Sequence, residues 1–134
     1  VNTIILTGNV PSKKNSKRIF VNKRTGKPFI TSSESHGVWH RGASFEVKSW
    51  KNKLSAEERK KLPLKSAYLE IEVFHSTAQK GDLTNKAESI MDLLVDMEVL
   101  QDDNWSVVPE IRLKFGGVDK HNSRAEIFLV DNTA

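Results

Sequence analysis

A single α+β domain, with two main helices covering a mixed sheet of about four to five strands, is predicted by three features of the chain. Its 134 residues, 37% of them hydrophobic, suit one core and not two. Apolar spacing changes from every second residue to helical spacing and back again. Two segments of alternating apolar residues close the chain, joined by the turn-like connector GGVDKHNS, and are expected to form an antiparallel pair. Residues 1–134 are therefore read as one domain.

The elements follow in order. Thr3–Thr7 is a short apolar strand, and the segment 11–30 that follows it, with Pro11, Gly26 and Pro28, is a basic loop or loose hairpin. Between Ser33 and Lys53 the residues Val38, Trp39, Ala43, Phe45, Val47 and Trp50 recur at spacings that fit a helix better than a strand, although Gly37 and Gly42 weaken it. Ser55 followed by Glu58 is a helix-start signal, and Pro63 ends what begins there. Tyr68–His75 alternates Leu69, Ile71 and Val73 with Glu70 and Glu72, which predicts a strand with one apolar face. After Gly81, the residues Ala87, Ile90, Met91, Leu94 and Met97 line one face of a helix, with Asn85 as its N-cap and Glu88 as the reciprocal partner. Val107–Phe115, with Ile111, Leu113 and Phe115 inward, and Arg124–Val130, with Ala125, Ile127 and Leu129 inward, complete the sheet.

Charge is distributed unevenly. Residues 1–33 hold Lys13, Lys14, Lys17, Arg18, Lys23, Arg24 and Lys27 and no acid, whereas the rest of the chain has 14 basic and 17 acidic residues. Such a cationic segment, with Ser12, Asn15 and Ser16 interleaved, attracts a polyanion and can hydrogen-bond phosphate oxygens, although lysine runs also serve solubility. The absence of cysteine excludes disulfides, thiolate zinc sites and cysteine nucleophiles in this chain. No apolar run approaches the roughly 18 residues of a membrane span, so a soluble, cytoplasmic protein is expected.

Chemistry is left to carboxylates, four histidines and hydroxyls. Asp82 precedes the helix after Gly81, and Asp102 and Asp103 follow it, at ends separated by roughly 20 Å at the helical rise of about 1.5 Å per residue. For Asp82 and Asp103 to meet, the loop after Leu100 must fold back along the helix, or the strand entered at Trp105 must carry its acid beside the strand ending at His75. Converging carboxylates would favour a hard divalent cation, Mg²⁺ above all, with Mn²⁺ as a substitute. One of the adjacent pair Asp102 and Asp103 is expected to cap its own turn. The histidines match no zinc spacing. Asp92 is expected to make a surface or interhelical contact, and Trp39, Trp50 and Trp105 core or dimer contacts.

The pattern D-L-T-N-(x)6-D-L-L-(x)7-D-D from Asp82 to Asp103 resembles the signature of the RusA family of Holliday-junction resolvases, and G-N-V-P-S-K-K-N-S near the amino terminus resembles that family's first strand and basic loop. The resemblance implies a RusA-like fold and a homodimeric, Mg²⁺-dependent endonuclease acting on branched DNA, four-way junctions in particular, in a bacterial or phage setting. Carried over by position, it makes Asp82, Asp102 and Asp103 the catalytic and metal-binding acids and matches Asn85 to the family's asparagine. Thr84 stands where the family has a second aspartate, and Glu88 where it has a functional lysine. Glu88 is then either a substitute metal ligand or a helix-cap partner, with Lys86 or Lys80 giving positive charge near the phosphate. Lys13, Lys14, Lys17, Arg18 and Lys80 are the DNA-binding candidates. The alternative is a branched- or single-stranded-DNA-binding recombination protein weakened in catalysis by the two exchanges.

Overall fold

The computed structural model describes residues 3–12, 17–21, 23–26, 28–32 and 34–133, with residues 17–21, 28–32 and 34 described by their backbone. Its strands are β1 (Thr3–Thr7), β2 (Lys17–Val21), β3 (Pro28–Ser32), β4 (Ala67–His75), β5 (Glu110–Val118) and β6 (Arg124–Asp131). The helices are α1 (Glu34–Asn52), α2 (Ala56–Lys60) and α3 (Leu83–Asp96). The basic segment forms its own antiparallel hairpin, β2 with β3. The remaining strands make a mixed sheet in the order β1-β6-β4-β5.

β4 organises the sheet because its two faces have opposite chemistry. Leu69, Ile71 and Val73 lie beside Leu129, Ile127 and Ala125 of β6, all buried, and Ile4 and Leu6 of β1 continue the same layer. Trp39, Ala43 and Val47 of α1 and Ile90, Leu93 and Leu94 of α3 join them in one core. On the open face, Glu70 and Glu72 stand opposite Arg112 and Lys114 of β5, at 4.0 and 3.7 Å. Such exposed cross-strand pairs contribute little energy, about 0–1 kcal/mol each, but they favour the observed register. Glu70 and Glu72 are thereby accounted for as sheet residues.

Two expectations about the closing strands are corrected. β5 and β6 do not form a hairpin: β5 runs parallel to β4 on one side, and β6 runs antiparallel to β4 on the other. A parallel neighbour requires a crossover, which α3 supplies. Val107 and Val108 are buried ahead of the strand, which starts only at Glu110. Ile111, Leu113 and Phe115 do share the core-side face, as partners of Leu69, Ile71 and Val73. They occupy the sheet edge, however, where Leu113 is partly packed while Ile111 and Phe115 remain exposed.

The helix starts divide similarly. Ser55 caps α2 in the expected reciprocal box with Glu58. The N-cap of α3 is Asp82, not Asn85: its carboxylate accepts from the Thr84 amide at 3.1 Å. Aspartate caps as well as asparagine does, and the earlier start lets Asn85 and Ala87 be buried inside the first turns.

The β4–β5 ladder shifts register between Val73 and Phe74, so that Phe74 pairs with Gly117 and Gly116 is the extra residue of a bulge. A Cβ at Gly116 would lie 2.5 Å from the Phe74 ring, which is itself covered by the Arg124 guanidinium at 3.9 Å. Gly116→Ala is expected to destabilise the protein by about 1–3 kcal/mol in urea unfolding through overpacking. Gly42→Ala in α1, where a Cβ meets nothing within 4 Å, is expected to stabilise by up to about 1 kcal/mol.

Candidate functional site at the amino end of α3

The loop between β4 and α3 gathers the polar groups that the sequence singles out. Asp82 ends this loop, and its carboxylate binds three donors: the Thr84 amide, the Thr84 hydroxyl at 2.6 Å and the Asn85 side-chain amide at 3.2 Å. Asn85, nearly fully buried, is thus held as a fixed donor behind an exposed acid. The helix amino terminus further favours the negative charge on Asp82. Asp82 and Thr84 present oxygen donors to solvent, and Glu88 lies exposed one turn further along α3.

Beside this cluster lies a cleft of about 470 Å³ at the carboxyl ends of the parallel strands β4 and β5. Val73, Leu83, Phe115 and Val118 form apolar walls, while His75, Lys80 and Lys86 add basic groups. Clefts at strand carboxyl ends beside a helix amino terminus are recurrent ligand positions in open sheets. Partial burial holds the Lys86 amine below the ordinary lysine range. Its ammonium donates to the Val10 carbonyl at 2.6 Å, and Gly81 makes room for it, since a Cβ there would meet Lys86 Cε at 2.8 Å.

The segment entering the basic hairpin is fastened to this site by contacts that sequence reasoning missed. Asn9 and Ser76 exchange two hydrogen bonds, of 2.7 and 2.9 Å, between the exits of β1 and β4. Lys86 holds Val10, and the buried Ser89 hydroxyl donates to the Pro11 carbonyl at 2.7 Å. Helical spacing puts Ser89 off the apolar stripe of Ala87, Ile90 and Leu94, so its burial beneath Pro11 had no local signal. Lys13 and Lys14 lie outside the described residues, as do the side chains of Lys17 and Arg18, whose backbone forms the start of β2.

No protein-family model and no curated protein matches the chain.

The second acidic group sits elsewhere. α3 is 14 residues long, about 21 Å at the helical rise, and the chain leaving it pairs Leu100 with Leu64, ahead of β4. The Val107 carbonyl then accepts from the Ala67 amide, and Glu110 stands beside Tyr68. Asp102 and Asp103 therefore lie near the start of β4, whereas Asp82 follows its end. Neither route that would join them in one chain is taken, because β5 runs parallel to β4. Among the described residues, no group of three or more histidines, aspartates or glutamates is placed to hold a metal ion. Asp102 caps its own turn, accepting from the Asp103 amide at 2.7 Å and the Asn104 side chain at 3.1 Å, which leaves Asp103 the outward acid.

Other candidates have structural roles. His40 meets Asp96 at 3.1 Å, an interhelical contact between α1 and α3. Trp39 is buried in the core, Trp50 packs against it, and Trp105 is 86% exposed.

Ser89→Ala is expected to cost about 1–3 kcal/mol by leaving the Pro11 carbonyl without its donor. It is also expected to speed amide exchange and proteolytic nicking in residues 11–32, with the remainder of the sheet unaffected. Unchanged exchange in that segment would mean that Ser89 does not tether it.

Proposed function

We propose that the protein is an Mg²⁺-dependent endonuclease that cuts branched DNA, four-way junctions in particular, as a homodimer in a bacterial cytoplasm. The observation that carries this reading is the Asp82 oxygen cluster, set between Lys80, Lys86 and the tethered root of a basic hairpin. Anionic backbone attracted by the hairpin would be led toward an exposed acid with a hydroxyl oxygen beside it. The resemblance of the Asp82–Asp103 pattern to RusA-family resolvases names the reaction class.

The donors suit a hard cation in kind, being carboxylate and hydroxyl oxygens. One chain does not suit it in number, since Asp103 is a helix length away from Asp82. Two copies remove the difficulty if their β5 edges lie antiparallel across a two-fold axis. The start of each β5, with Asp103, then approaches the end of the other, near Asp82. A bound Mg²⁺ would supply an activated water and charge neutralisation. Asp82, oriented by Thr84 and Asn85, and Asp103 from the second copy would be its ligands, with Glu88 one turn along α3. Lys80 would screen the phosphate; Lys86, bound to Val10, would set the position of the basic segment. A two-fold pair of sites also matches a junction that must be cut on two strands.

Cleavage of a labelled four-way junction and a matched duplex, with and without Mg²⁺, tests the activity. Wild type is expected to make paired cuts in the junction alone and only with Mg²⁺. Asp82→Asn keeps the helix cap and is expected to abolish cutting without unfolding. The separation of the acids in one chain equally favours a second reading, a junction-binding protein without catalysis. Tight junction binding with no cleavage by either protein would establish that reading instead.

Shared sites have a distinct signature. Asp82→Asn and Asp103→Asn are each expected to be inactive alone. Mixing and re-equilibrating them should restore nicking, because half of the dimers then carry one complete site, about a quarter of the wild-type number of sites. Sites built within one chain would stay inactive in every mixture.

A further inference from the structure

Two features, one at each end of the edge strand, lack a partner among the described residues. Trp105 is 86% exposed, yet it sits on a built turn: the Asn104 side chain accepts from the Ser106 and Val107 amides at 2.9 and 3.2 Å, and Val107 and Val108 anchor the loop in the core. An aromatic of this size held in water at a fixed position is a common mark of a contact surface. At the other end of β5 is the cleft walled by Val73, Leu83, Phe115 and Val118, with Phe115 and Val118 each about half exposed. The two ends are separated by the nine residues of β5, about 30 Å at the strand rise, so Trp105 does not reach the cleft of its own chain.

We propose that Trp105 of one copy seats in the β4–β5 cleft of a second copy, reciprocally across a two-fold axis beside β5. This rests on the homodimer in the functional reading above and specifies the contact that holds it.

Three observations select a second copy as the occupant. β5 is the edge of the sheet, with one side unpaired by any other strand of the sheet, so its backbone is available for antiparallel pairing with an identical strand. That arrangement is self-complementary and sets the start of each β5 against the end of the other. Charge matches as well: Asp102 and Asp103 adjoin Trp105, and Lys80 and Lys86 line the cleft. The area is also consistent. Two tryptophans burying about 150–250 Å² each would contribute roughly a fifth to a third of a standard interface of about 1,600 Å², leaving the strand edges with Ile111 and Leu113 to furnish the rest.

Because the chain has no cysteine, an engineered pair reports the contact directly. In the full chain, without DNA or metal, Trp105→Cys combined with Val118→Cys is expected to yield a disulfide-linked dimer on mild oxidation, well above either single variant. A link within one chain is barred by the length of β5. Trp105→Ala is expected to weaken self-association at least tenfold in sedimentation equilibrium while leaving the thermal unfolding of the monomer unchanged, since the side chain is exposed. A monomeric wild type, a Trp105→Ala protein that sediments as wild type, or a double variant that links no better than the single ones would each overturn the contact. A linked dimer that cleaves no junction would support the contact and remove the nuclease reading. Junction cleavage by wild type together with absent linking would do the reverse.

Discussion

The parallel pairing of β5 with β4 is the constraint on which the rest of this structure depends. A parallel neighbour cannot be reached by a tight turn, so the chain must cross over through α3, and α3 spends its apolar face on the core formed by Leu69, Ile71 and Val73. The same crossover places the end of β4, the α3 amino terminus and the end of β5 together. It therefore creates the cleft, and it sends Asp102 and Asp103 to the far end of the sheet. An antiparallel β5 would have removed both the cleft and the separation.

A second, weaker system of contacts ties the amino-terminal segment to that arrangement. Asn9, Val10 and Pro11 are gripped in turn by Ser76, Lys86 and Ser89, each contact a hydrogen bond of 2.6–2.9 Å. These bonds connect residues far apart in sequence at the point where the chain becomes strongly basic. Lys86 is consequently a structural tether as well as a charge near the site. Its reduced proton affinity reflects the burial that this tether demands.

The sheet uses its two faces and its edge for different purposes. The helix-covered face is apolar, and the open face carries the Glu70–Arg112 and Glu72–Lys114 pairs that help to fix register. The edge carries apolar residues, Ile111 and Phe115, that are exposed among the described residues, and an acidic loop and a basic cleft lie at its two ends. In the dimer we propose, these features would become mutually complementary, and the acids divided by the crossover would be reunited between copies.

The sequence by itself determined the elements whose signal is local. β4 and β6 follow from strict alternation, α3 from its apolar stripe and α2 from the Ser55–Glu58 cap, whereas the basic segment reads equally as a loop or a loose hairpin. It also marked the carboxylates flanking α3, Asp82, Asp102 and Asp103, as candidate functional groups. The tertiary structure decided which strand lies beside which. Alternation specifies the face of a strand but not its neighbour, so β5 and β6 looked like a hairpin although β4 lies between them. The same limit hid the exposure of Ile111 and Phe115, since burial at a sheet edge depends on what covers it. N-cap choice between Asp82 and Asn85 was settled by burial of the first helical turn, and the distance between the acids by strand direction. Both are long-range properties, which the local pattern does not encode.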